Sequence, residues 1–150
     1  MERIMRHLAI KFFMLTIILF SGSVYSNEQS PVGLWKAYDD QGKPTGFIRM
    51  QEDAGLLTGK IERGLPEEKE VQYCSACQDE RKNQPLVGMV MMKGVKAKGD
   101  YFEGDEILDP FSGNTYRVKL KLKEQGKKME VRGFVGLSLF GRTQVWERVE

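Results

Sequence analysis

The chain has 150 residues, with 23 Lys and Arg facing 21 Asp and Glu, two cysteines and one histidine. That near-balance leaves no electrostatic footprint for nucleic acid or an anionic membrane in the total. The only histidine, His7, sits near the N-terminus, so the rest of the chain has no Ser-His-Asp triad, Cys-His pair or histidine metal site to offer.

In chain order, Arg3, Arg6 and Lys11 make a basic start, and FFMLTIILF (12–20) follows as an uncharged apolar run. SGSVYS then puts Val24 and Ser26 third and first before a cut. This order predicts a signal peptide over 1–26, because nine apolar positions are too few to span a bilayer; an uncleaved anchor is the alternative. The expected destination is the periplasm or the exterior, with no stable membrane insertion after cleavage. No cysteine follows the cut, so a lipid anchor is not suggested. Cleavage removes three basic residues, one acidic residue and His7, leaving 20 charges of each sign. The remainder, 27–150, is about 124 residues, enough for one domain with a modest core. No repeat or linker divides it.

Period-two alternation, broken by glycine and charged turns, places strands at about 33–39, 46–52, 55–62, 86–93, 99–103, 115–123, 127–136 and 141–149. EDAG, KGVKAKGD, DPFSGN and KEQGKK read as turns. Residues 64–85 interrupt the rhythm with charge and a helical turn beginning at Pro66.

That interruption holds Cys74 and Cys77. A C-x-x-C is a redox centre, half a zinc site or a staple. A thioredoxin-type centre needs an apolar strand before the first cysteine and a helix carrying the second, and neither frame is present. Zinc needs about four ligands, and only two thiols are available. In an exported chain the pair reads as a structural disulfide, worth about 2 kcal/mol for so small a ring.

Met89 and Met91 share a strand face. They read either as a thioether copper site, which lacks imidazole partners, or as filling of an apolar interior, which is preferred. Glu103, Asp105, Glu106 and Asp109 cluster before the DPFSG turn. A carboxylate pair can act as acid and base in a hydrolase, but spacing along one strand and turn does not make the groups converge. No glycine-rich phosphate loop is present. No catalytic residue, metal or cofactor is therefore expected, and the chain is read as a non-enzyme.

In TYRVKLKLK, Tyr116, Val118, Leu120 and Leu122 alternate with Arg117, Lys119, Lys121 and Lys123. The basic row is read as a solvated face, with polyanion binding as the alternative. Met129, Val131 and Val135 share one parity further on.

Eight short strands predict an all-β barrel or sandwich. Gly33 and Trp35 in the first strand, with Trp146 and Arg148 in the last, sharpen this toward a lipocalin-like antiparallel up-and-down barrel. Arg148 stacked on Trp35 would close its floor. PVGLWKAYDDQGKPTGFIRM, LTGKIE, CSACQDERKNQPLVGMVMM, GDEILDPFSGNTYRVKLKL and VRGFVGLSLFGRTQVWERV, in this order, resemble the bacterial exported domain-of-unknown-function family 2147 across nearly all of 27–150. The resemblance implies a lipocalin-like barrel in the bacterial envelope and supplies no activity or catalytic residues. One departure is Tyr101 and Phe102, where tryptophan is common in the family.

Such a barrel either fills its interior or holds one small ligand. Met89, Met91, Tyr116, Val118, Leu120, Met129 and Val131 are the expected interior, and the ligand reading expects a small apolar or amphipathic molecule among them. The runner-up is an envelope protein–protein interaction or structural module with a filled barrel, and a carboxylate hydrolase is third. Sequence leaves the oligomeric state open.

Overall fold

The computed structural model describes residues 30–65 and 73–150. The signal peptide expected over 1–26 and the helical turn expected at Pro66 lie outside these residues.

Eight antiparallel strands among the described residues close into one barrel in chain order. They are β1 (Gly33–Tyr38), β2 (Pro44–Asp53), β3 (Leu56–Arg63), β4 (Val90–Lys98), β5 (Tyr101–Asp109), β6 (Asn114–Lys123), β7 (Lys128–Phe134) and β8 (Gly141–Arg148). Alternation drives closure, because each strand turns one apolar face inward and leaves the other wet. The closing seam is short. Trp35 pairs with Arg148 and Lys36 with Glu147, and Leu34 N–H donates to Glu150 O at 2.8 Å.

Two strands differ from their expected limits. β4 runs to Lys98 and β5 to Asp109, so GVKAK and GDEILD, read as turn or acidic cluster, are strand. Glycines and bulges hide the alternation there. Gly94 adopts a positive φ of 69°, and the β5–β6 register slips between Gly104 and Ile107. A second slip lets Lys60 face Val90 while Gly59 faces Met92. The extra residue turns both Met91 and Met92 inward, where strict alternation would bury only one. Val135 lies beyond the end of β7 and is 68% exposed, so it is not an interior residue.

The basic row on β6 is a solvated, ion-paired face. Arg117 reaches Glu103 at 2.7 Å, Lys121 reaches Asp100 at 2.7 Å, and Lys123 reaches Glu130 at 3.3 Å. Lys119 lies 4.1 Å from the Tyr101 ring centroid.

Interior side chains change size along the barrel axis. One end carries the β2–β3, β4–β5 and β6–β7 turns and both described chain ends. Trp35, Met50, Leu57, Met92, Val95, Leu120 and Met129 fill it and are almost wholly buried. Toward the other end the same faces shrink. Trp35 gives way to Ala37 on β1, Met50 to Ile48 and Gly46 on β2, and Met129 to Val131 and Gly133 on β7. No helix among the described residues is long and apolar enough to cross a membrane.

Candidate functional site

Where the interior residues become small, the barrel holds a cavity of about 930 Å³. It opens among the loops following β1, β3, β5 and β7. Ile48, Ile61, Ile107, Val131 and Trp146 form much of its wall. Small-molecule pockets commonly span about 300–1,000 Å³ with apolar walls and a few placed polar groups.

Two of the lining polar groups are Gln144 and Tyr116. The Trp146 Nε1–H donates to Gln144 Oε1 at 3.0 Å. An indole nitrogen only donates, so this bond fixes which end of the amide is oxygen and leaves the Gln144 NH₂ as a donor without a partner among the described residues. The two residues lie on one face of β8, two positions apart, so the strand itself sets their contact.

The mouth is rimmed by apolar side chains that water reaches. Phe111 from the β5–β6 turn is 54% exposed, and Leu139 and Phe140 from the β7–β8 loop are 80% and 78% exposed. All three line the cavity opening. Arg132 secures the β7–β8 loop from the outer face of β7. Its Nε donates to Ser138 O at 2.6 Å, its Nη2 to Leu139 O at 3.0 Å, and its Nη1 to Thr143 Oγ1 at 2.7 Å.

The expected interior residues divide into three sets. Met91, Tyr116 and Val131 line the cavity. Val118, Leu120 and Met129 are buried in the filled half beneath it. Met89 precedes β4, takes the Ile61 N–H on its carbonyl at 2.9 Å, and packs in the core away from the cavity wall. Sequence reasoning missed Ile48, Ile61, Ile107, Gly133, Gln144 and Trp146. The readable signal was the shrinking of interior residues along β1, β2 and β7.

At the filled end the Arg148 guanidinium lies 4.3 Å from the Trp35 ring centroid. It donates to Gly126 O, Val32 O and Ser30 O at 2.6–2.7 Å. Burial lowers the Arg148 pKa from its ordinary value. The Trp35 Nε1–H donates to Pro31 O at 2.7 Å. Gly33 has φ of 137°, and a Cβ there would meet Glu150 O and the Arg148 guanidinium.

Cys74 and Cys77 form a disulfide with Cα atoms 5.4 Å apart, and both residues are fully buried. The disulfide braces the rim, because the 73–85 loop closes on itself through the Tyr73–Pro85 bridge. It also packs so tightly on the β5–β6 turn that a Cβ on Gly113 would overlap the Ala76 carbonyl. Arg81 ties the loop to β5 through Glu106 at 2.7 Å. Arg81 also pairs with Asp79, which its hydrogen bonds hold down to about 2. Sulfurs so enclosed are poorly placed for attack by a substrate thiolate. Replacing both cysteines by alanine is expected to lower stability by about 2 kcal/mol and the melting temperature by roughly 5–10 °C. An unchanged thermal midpoint would refute a stabilising role.

The four clustered carboxylates separate into three places. Glu103 and Asp105 meet Arg117 outside the barrel, Glu106 meets Arg81 and Lys93, and Asp109 accepts from the Phe111 N–H and the Ser112 hydroxyl in its own turn. No group of three or more metal-ligating side chains occurs among the described residues.

Residues 33–148 match the model of a bacterial family described as "Uncharacterized protein conserved in bacteria (DUF2147)". No curated protein matches the chain. Among solved structures the chain is similar to protein HP1028 from Helicobacter pylori, described as belonging to the lipocalin family. The TM-score is 0.69 at 15% identity, over 81% of this chain and 84% of that one. At that identity the likeness shows a shared lipocalin-like fold.

Proposed function

Since the chain belongs to the DUF2147 family, whose description carries no activity, we propose its function from the cavity: it binds a small apolar or amphipathic molecule inside the barrel. The carrying observation is a cavity of about 930 Å³ with aliphatic and indole walls, set above a closed floor. Apolar ligand surface leaving water contributes roughly 25 cal/mol per Å² buried, and the Gln144 NH₂ offers one directional contact.

The role is one of binding, without catalysis. The paired cysteines favour an exported protein, since disulfides persist in oxidising compartments such as the periplasm. A filled barrel working only through its loops draws less support, because the interior has room.

Titration of the purified protein with the apolar dye N-phenyl-1-naphthylamine tests this reading. The expected result is saturable one-to-one binding with blue-shifted dye emission and quenching of tryptophan fluorescence, since Trp146 lines the cavity. Absence of saturable uptake would sink it.

A further inference from the structure

The charges around the cavity carry information about the ligand that its apolar walls do not. Among the described residues no charged or polar side chain is fully buried, and Gln144, which faces Val131 across the β7–β8 register, offers only a neutral amide. A ligand's apolar part therefore belongs at the deep end, among Ile48, Val131 and Trp146. A charged group driven to that depth would lose its hydration with no counter-charge to replace it. Any charged head must stay at the mouth.

Among the described residues the charged ones lining the cavity are Asp39, Asp40, Asp109 and Arg142, all at that mouth. Two of the aspartates are held in place by their turns. Asp39 Oδ1 accepts from the Gln41 and Lys43 N–H groups at 2.9 and 2.8 Å, and Asp109 caps the β5–β6 turn as described above. Asp40 and Arg142 form a loose pair at 3.6 Å, with the Arg142 side chain 86% exposed. Three carboxylates against one guanidinium leave the lining net negative, and low-dielectric walls focus that field at the opening.

We infer that the ligand is an amphiphile whose exposed end is cationic or uncharged, and that anionic amphiphiles such as fatty-acid carboxylates are discriminated against. The inference rests on the ligand-binding reading and names its ligand class. Tail length and shape answer to the cavity, and head charge answers to the rim.

Calorimetric titration at low ionic strength with decyltrimethylammonium, decanol and decanoate, matched in chain length, separates the two claims. The cation is expected to bind about fivefold tighter than decanoate or better, with decanol between them. Added salt narrows the gap, since the rim charges are exposed. Asp40→Asn should shrink the preference and Arg142→Gln should widen it, each by about threefold, because each changes the rim by one charge. Decanoate binding as tightly as the cation, or a preference that neither substitution moves, overturns the charge inference and leaves the cavity reading standing. Binding of none of the three probes overturns the cavity reading itself, and the charge inference with it.

Discussion

Replacing Arg148 by methionine is expected to lower stability by about 3 kcal/mol and the melting temperature by roughly 10 °C, with dye binding retained well below the transition. The guanidinium has no carboxylate partner among the described residues. Its positive charge is met by three backbone carbonyls, Ser30 O, Val32 O and Gly126 O, and by the face of Trp35. Those carbonyls come from the chain entering β1 and from the β6–β7 turn, so one side chain ties together segments far apart in sequence. Among the described residues the β1–β8 seam is otherwise held by a two-residue ladder, a few flanking backbone bonds and the Tyr38 hydroxyl donating to Glu147 at 2.6 Å. Methionine keeps much of the length and apolar body but strands three acceptors. Hydrogen bonds to charged groups are worth about 1.5–3 kcal/mol each, of which water entering the floor restores part. Lysine should recover little, because an ammonium cannot present a planar fork to three carbonyls and stack on an indole together. Retained dye binding is the informative half, since the floor and the cavity lie at opposite ends. A melting temperature unchanged within about 2 °C would show that other contacts close the floor.

The closing pair was legible because one of the chain's two tryptophans opens the first strand in Gly33–Trp35 while Arg148 ends the last. The strands of plain alternation, β6 above all, were equally readable. Where β4 and β5 were misjudged, the cause is local. Gly94 and Gly104 are glycines inside strands, and glycine in sequence reads as a break. Gly104 is there because a Cβ would lie 2.7 Å from Val95 Cγ2, so its smallness serves close packing.

The cavity was less legible for a related reason. An inward-facing position tells nothing of whether its side chain meets another across the barrel. Met129, Val131 and Gly133 share one face, yet the first is packed, the second forms a wall and the third borders open space. The polar contact of Gln144 depends on Trp146 two residues on, a pairing with no motif. The separation of Glu106 from Glu103 and Asp105 follows from the β5–β6 register and from Arg81, which arrives from a loop.

Gly133→Trp is expected to weaken N-phenyl-1-naphthylamine binding by about 30-fold or more while leaving the melting temperature unchanged or higher. Gly133 lines the cavity on the inward face of β7 and has no positive φ, so a side chain there meets no backbone strain. A Cβ at this position would lie 3.7 Å from Tyr116 Cβ and 3.9 Å from Ile107 Cγ2, which is ordinary contact. The indole then extends into space the ligand occupies. An occluded ligand has to displace or strain it, at a cost of about 2 kcal/mol, equivalent to the expected loss. Stability moves the other way, because glycine within a strand is destabilising by roughly 0.5–1 kcal/mol and an aromatic residue suits a half-buried pleated surface. Gly104→Ala supplies the contrast. Its Cβ would strike Val95 in the filled half, so it should lower the melting temperature and leave dye affinity unchanged. If Gly133→Trp bound the dye as well as the parent chain, the dye site would lie outside the barrel. If it lost stability as Gly104→Ala should, the space beside Gly133 would be part of the packed core.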